Sequence, residues 1–245
     1  MVLEHVKRPY KRILLKISGE LLLGDQKFGV DQTACRRFAK ALLVLQKQGL
    51  EVALVIGGGN IFRGITLEDG GMERSAADQM GMLGTLINGI ALRQTLQSIG
   101  AKVKLMSALE CPRVAETYNW ENALDSISKG EILIFVGGTG NPYFTTDSAA
   151  ALRACEMNAD LLVKATKVDG IYSKDPLMFP DAVKYNSITY TQVLSERLKI
   201  MDATAIALCQ SNSLPIFVFK MQRLLDQPDL GVHLFDETIG SFVKN

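Results

Sequence analysis

"ILIFVGGTGNPYFTTDSAAALRACE", residues Ile132–Glu156, decides how this chain folds. An apolar strand runs into a Gly-rich turn and then into a Thr-Thr-Asp helix start. A turn built this way can hold an anion, because backbone N–H groups and a helix start both face the ligand. The same alternation extends outward in both directions. "RILLKIS" (Arg12–Ser18), "EVALVIG" (Glu51–Gly57), "AKVKLMS" (Ala101–Ser107), "DLLVKAT" (Asp160–Thr166) and "PIFVFK" (Pro215–Lys220) read as further strands. Between them lie helical patterns. One is capped by Asp31, carries Phe38, Leu42 and Leu45, and stops at Gly49; another runs from Ala77 to Ser98 and ends at Gly100. Further helices are expected at Glu121–Ser128, Asp147–Asn158, Thr189–Leu198 and Ala203–Asn212, and an edge hairpin at Gly231–Asn245.

Strands alternating with helices predict an α/β fold: a three-layer αβα sandwich around an open, mostly parallel sheet. The linker-like stretch "YSKDPLMFPDAVKYNS" (Tyr172–Ser187) divides lobes without marking a domain boundary, so residues 1–245 are read as one domain. At 245 residues and 47% apolar, the chain can bury a full core. Its 27 Lys+Arg against 26 Asp+Glu give no basic field for nucleic acid. Cys35, Cys111, Cys155 and Cys209 form no C-x-x-C pair, which argues against zinc and for reduced thiols in a cytoplasm. With only His5 and His233, a His-based metal site or a Ser-His triad is excluded as a working idea. The charged start "MVLEHVKRPYKR" has no apolar signal core, and no apolar run is of bilayer length. The expectation is a soluble, cytoplasmic protein without membrane contact.

Function enters where the glycines fall. "KISGE", "GGGNIFRG", "GGTGNP" and "KATKVDG" each follow a strand. In a parallel sheet those strand ends share one rim, where α/β proteins bind ligands, so four such loops imply a large polyanion. Neither usual fingerprint is present. No glycine run continues into Lys-Ser or Lys-Thr, so this is not a P-loop fold. The dinucleotide pattern fails because Phe62 and Tyr143 stand where its last Gly belongs. Lys16, two residues before Ser18-Gly19, reads either as a phosphate-reaching ammonium or as an outward lysine on an alternating strand. Arg63 is either a bidentate phosphate clamp or a solvated arginine. Asp147 is either a helix-start acid or the group that orients a lysine or Mg²⁺. Asp78 and Asp202 are equally open.

"YKRILLKISGE", "VIGGGNIFRG", "DQMGMLGTLINGIAL", "GGTGNPYFTTDSAA" and "KATKVDGIYSKDP" occur in the order and spacing of bacterial UMP kinases, of the amino acid kinase superfamily. The chain resembles them from about Tyr10 to its C-terminus, and "TGNPYFTTDSA" resembles the UMP-binding loop. The resemblance implies a reversible, Mg²⁺-dependent transfer from ATP to UMP, giving ADP and UDP in pyrimidine nucleotide biosynthesis. It assigns Lys16, Ile17, Ser18, Gly19, Gly59 and Arg63 to the ATP phosphates, and Thr166, Tyr172 and Asp175 to adenosine. Gly58, Asp78, Thr139, Gly140, Asn141, Pro142, Tyr143, Phe144, Thr145 and Thr146 fall to UMP. Asp147 and Asp202 resemble the acids that hold the phosphate-contacting lysine, which makes Lys16, Arg63, Asp147 and Asp202 the catalytic set. Lys164 is a further phosphate contact. The implied division is a UMP lobe over about residues 10–170 and an ATP lobe over about 160–245, with Mg²⁺ arriving on ATP and no metal ligand set in the protein. GTP activation, UTP inhibition and a homohexamer are implied in the same way. The rival readings are a carboxylate or carbamate kinase of the superfamily, a non-catalytic nucleotide sensor or store, and a dinucleotide oxidoreductase.

Overall fold

The structure is a computed structural model that describes residues 10–62, 71–227 and 233–245. Its centre is β1 (Arg12–Ile17), whose alternation feeds two cores: Ile13, Leu15 and Ile17 join one, and Leu14 joins the other. β1 pairs in parallel with β2 (Glu51–Ile56) on one side and with β6 (Leu161–Thr166) on the other. Beyond β2 come β5 (Ile132–Val136), β3 (Val103–Ser107) and the two-residue β4 (Glu116–Thr117). Beyond β6 come β10 (Ile216–Lys220), β11 (Gly240–Val243) and β9 (Ser187–Ile188), giving nine strands in all. β10 and β11 form the antiparallel pair; the remaining pairs of this sheet are parallel.

The first core lies under α1 (Gln32–Lys47), α2 (Arg74–Ser98) and α7 (Met221–Asp226), through Phe38, Leu42, Leu92, Leu96 and Leu224. The second lies under α3 (Trp120–Ser128), α4 (Thr146–Glu156), α5 (Tyr190–Ser195) and α6 (Ala203–Ser211). The expected three layers are therefore present. α4 meets the sheet with Ala149, Ala150, Ala151 and Ala154, all fully buried. Side chains this small let the helix lie close over β1 and β2 and carry its first turn to the strand ends.

Four details differ from the sequence expectation. The closing segment forms, within its described residues, one strand rather than a hairpin. Asp236 turns the chain by accepting from Thr238 N–H at 2.8 Å, and β11 then takes the open edge of β10. Residues 231 and 232 lie outside the described residues. The linker-like stretch is instead a small hairpin, β7 (Ile171–Tyr172) against β8 (Lys184–Tyr185). α2 begins at Arg74, and α5 is confined to Tyr190–Ser195. No described helix is long and apolar enough to cross a membrane.

Candidate active site

Succession along the sheet reverses at β1: the chain moves to β2 and the strands beyond it, then returns to place β6 on the other side. Ligands of open α/β sheets bind at such a switch point, outside the carboxyl ends of the strands. Here the register sets Lys16 opposite Lys164. Both share the face of Leu14 and Leu162, the face that α4 covers. Two ammoniums side by side on neighbouring strands repel. The first turn of α4 drops one carboxylate between them: Asp147 Oδ1 is 2.7 Å from Lys16 Nζ, and Oδ2 is 2.8 Å from Lys164 Nζ. All three side chains are nearly buried, at 13 to 15% exposure. Lys16 meets Oδ1 as a close ion pair. Lys164 also donates to the Ile200 carbonyl.

Burial alone would raise the Asp147 pKa, but the Lys16 and Lys164 charges, with hydrogen bonds from both, outweigh it and hold the carboxyl below its ordinary value. Burial lowers Lys164; Asp147 opposes this, the Lys16 charge adds to it, and the net direction is down. One carboxylate thus serves two crowded ammoniums, an arrangement that an arriving anion relieves.

Asp147 is both things: it is the first-turn acid of α4, while the cap itself is its neighbour. Thr145 is the N-cap of α4, and its hydroxyl accepts from Asp147 N–H at 3.0 Å. The Asp147 carboxylate is left to the lysines. Asp202 is the N-cap of α6, accepting from Ala205 N–H at 2.8 Å, and it also accepts from the hydroxyls of Ser148 (2.9 Å) and Thr145. It fastens the start of α4 to the start of α6 and, among the described residues, bonds no lysine directly; its charge acts on Lys164.

Two cavities flank this junction. The larger, about 570 Å³, is lined by Lys164, Thr166, Tyr172, Asp175 and Leu177 among others. Thr166 Oγ1 donates to Val168 O at 2.6 Å, Tyr172 Oη donates to Asp169 at 2.6 Å, and Asp175 accepts from Leu177 N–H at 2.9 Å, so each expected residue also shapes the wall. The hydrogen bond to Asp169, with burial, pushes the Tyr172 hydroxyl up to about 12. The smaller cavity, about 320 Å³, is bounded by Gly58, Gly59, Asp78, Phe144, Thr145 and Thr146. Thr139–Tyr143 forms the loop leading into it. Asp78 accepts from Tyr143 N–H at 2.7 Å, which holds Tyr143 at a left-handed φ of 70°. Asp147 follows Thr146 directly and touches Lys164, so the charged cluster bridges the two cavities.

The turns differ in what requires glycine. A Cβ on Gly19 would lie 2.4 Å from Gly57 O, and one on Gly58 would lie 2.6 Å from Gly81 O. Those two glycines allow loop and helix to meet. A Cβ on Gly59 would meet nothing within 4 Å among the described residues, so close packing is not what calls for glycine there. Ser18 caps a short 3₁₀ turn, Gly19–Leu22. Ile17 is fully buried, and its carbonyl accepts from Gly57 N–H at 3.0 Å. Arg63 lies outside the described residues. Sequence reasoning missed Arg74, which lines the smaller cavity and pairs with Asp78 at 3.0 Å. It also missed Thr85, Asn60 and Asn88, buried polar groups behind the glycine turns.

The profile of the amino acid kinase family matches residues 11–220. The chain belongs to the amino acid kinase family. Within that family it is 60% identical over 216 residues to a uridylate kinase of Protochlamydia amoebophila, covering 88% of this chain and 86% of the other. Among solved structures it superposes on a UMP kinase from Bacillus anthracis with a TM-score of 0.90, at 35% identity over 97% of each chain. A UMP kinase from Ureaplasma parvum gives 0.88 at 36% identity, covering 96% of this chain and 99% of that one.

Proposed function

We propose that this family member is a UMP kinase, transferring the γ-phosphoryl group of ATP to UMP to give ADP and UDP in the cytoplasm, for pyrimidine nucleotide synthesis. The observation that carries the reading is the Lys16–Asp147–Lys164 cluster between two cavities, one built from the "TGNPYFTTDSA" loop. ATP takes the larger cavity, with adenosine against Thr166, Tyr172 and Asp175. UMP takes the smaller one. The division into a UMP lobe and an ATP lobe on one sheet follows from that placement.

A phosphate oxygen of UMP attacks the γ-phosphorus, the bond to the β–γ bridging oxygen breaks, and ADP leaves with its electron pair. A phosphate monoester with a second pKa near ~6 is already largely ionised at neutral pH, so no general base is needed. The requirement is relief of repulsion between two polyanions and alignment in line. Lys16 stands at the junction to neutralise the transferring group, Lys164 supports it from the ATP side, and Asp147 holds both. Asp202 positions Asp147 by tying Thr145 and Ser148. Arg63 is assigned to the phosphates on the resemblance. The carboxylates at the junction are committed to ammoniums, hydroxyls and a helix N–H, which fits Mg²⁺ carried by nucleotide oxygens and water. Such an ion, when bound with the nucleotide, would supply screening of the phosphate charges. Transfer of label from [γ-³²P]ATP to UMP tests the reading: labelled UDP supports it, and unlabelled UMP rejects it.

A phosphate beside Lys164 opposes the burial that lowers its pKa. ADP binding at alkaline pH, below the ordinary lysine value of about 10.4, is therefore expected to take up protons. Calorimetry in two buffers of different ionisation enthalpy measures this. Zero uptake, or release, contradicts a phosphate contact at Lys164.

The homohexamer belongs to the same reading. Met80, Leu83, Ile87 and Ile90 stand 36 to 49% exposed on α2 at spacings of three and four, an apolar stripe facing away from the core. Replacing both Leu83 and Ile87 by Glu is expected to reduce the assembled mass in light scattering, whereas an unchanged mass would place the interface elsewhere. GTP activation and UTP inhibition complete the proposal and rest on the resemblance.

A further inference from the structure

α2 carries two polar side chains on the face that packs on the sheet, one and two turns before Leu92 and Leu96. Thr85 is 2% exposed and Asn88 fully buried. Polar groups so placed destabilise a core unless they are paired, and their partners are the glycine turns. The Thr85 hydroxyl donates to Met82 O at 2.6 Å and accepts from Gly137 N–H at 2.7 Å. Asn88 Nδ2 donates to Gly57 O at 2.7 Å, and Asn88 and Asn60 exchange amide hydrogen bonds at 2.7 and 2.8 Å. Asn60 in turn donates to Gly29 O at 2.8 Å. One turn of one helix therefore pins both loops that bound the smaller cavity. The approach is close: a Cβ on Gly58 would lie 3.1 Å from Thr85 N. On the other side, Gly137 and Gly138 hold left-handed φ values of 77° and 58°.

We infer that Thr85 is a positioning residue for the acceptor phosphate: it fixes the turn after β5 against the turn after β2, which Asn88 holds from the same helix. The inference rests on the UMP kinase reading for the identity of the acceptor. Thr85 also lines the smaller cavity, and its hydroxyl, committed to Met82 O and Gly137 N–H, acts through Gly137.

Two substitutions separate this from a packing role. Thr85→Val keeps the shape and removes the hydroxyl; Thr85→Ser keeps the hydroxyl and removes a methyl group. For both, kcat and KM with UMP, Tm, and hydrogen exchange at the Gly137 amide are measured. Thr85→Val is expected to lose roughly 10-fold in turnover, the equivalent of one buried hydrogen bond, mostly in kcat, and to expose the Gly137 amide to exchange. Thr85→Ser is expected to recover most of that turnover although it too loses stability. Activity losses that simply follow Tm in both variants overturn the inference, as does a Val variant with full turnover and a protected Gly137 amide. Should the wild-type protein phosphorylate no UMP, that reading fails separately. Exchange at Gly137 in Thr85→Val still decides whether the hydroxyl holds the turn: fast exchange supports it, and protection overturns it.

Discussion

Lys16→Met is expected to lower kcat by roughly 10²–10³-fold, the usual cost of removing one preorganised charge donor from a transition state, while KM for UMP changes little. The physical reason is the position of the ammonium. It lies beside the first turn of α4, 2.7 Å from an Asp147 carboxylate oxygen. The ion pair holds Lys16 in place, and an ammonium with three donors keeps N–H groups to turn toward a phosphoryl group. Its contact strengthens as charge moves from the γ-phosphorus to the leaving oxygen, so the loss falls on kcat. Methionine keeps the stem that packs over the strand, and Asp147 keeps Lys164. The fold is therefore expected to survive, with steady-state kinetics and a melting curve on the same sample as the check. A variant with full kcat and a raised KM for ATP would make Lys16 a binding residue only.

Asp147→Asn is the second large effect, about 10²-fold in kcat by the same reasoning. With the negative charge removed, Lys16 and Lys164 face each other across adjacent strands with only a neutral amide between them. The two substitutions act on one unit, so the double variant should be scarcely worse than the worse single one. The wild-type Asp147 pKa is held below its ordinary value of about 3.9. Its contribution to stability is therefore present above that pH and lost as pH falls through the lower folded-state value. Acid titration below about pH 4 should accordingly cost the wild type a share of stability that Asp147→Asn does not have left to lose. Parallel acid-unfolding curves for the two proteins would instead mean that Asp147 contributes nothing through its charge.

Much of this arrangement was legible because glycine and strand signals are local. Four glycine turns after four apolar strands placed the rim, and parallel pairing of β1, β2, β5 and β6 puts those turns there. The opposition of Lys16 and Lys164 was not legible. It depends on a register between strands far apart in sequence, and each strand alone reads only as a lysine near its end. The choice between cap and lysine-holder for Asp147 also needed three dimensions, because Thr145 and Asp147 are both good helix-start residues. Thr85 and Asn88 did leave a signal. They occupy α2 positions at the same helical spacing as Leu92 and Leu96, and a polar residue on a core-facing stripe calls for a partner. The closing strand was misread as a hairpin because its partner, β10, is an earlier strand with an open edge rather than a neighbour in sequence.

The measurement that tests the central claim most directly is coupled ADP release with Mg·ATP against UMP, CMP, AMP, glutamate and acetylglutamate in turn. The account predicts turnover with UMP at a kcat/KM far above that of every other acceptor. Turnover on a carboxylate with none on UMP would contradict it and move the protein elsewhere in the amino acid kinase family.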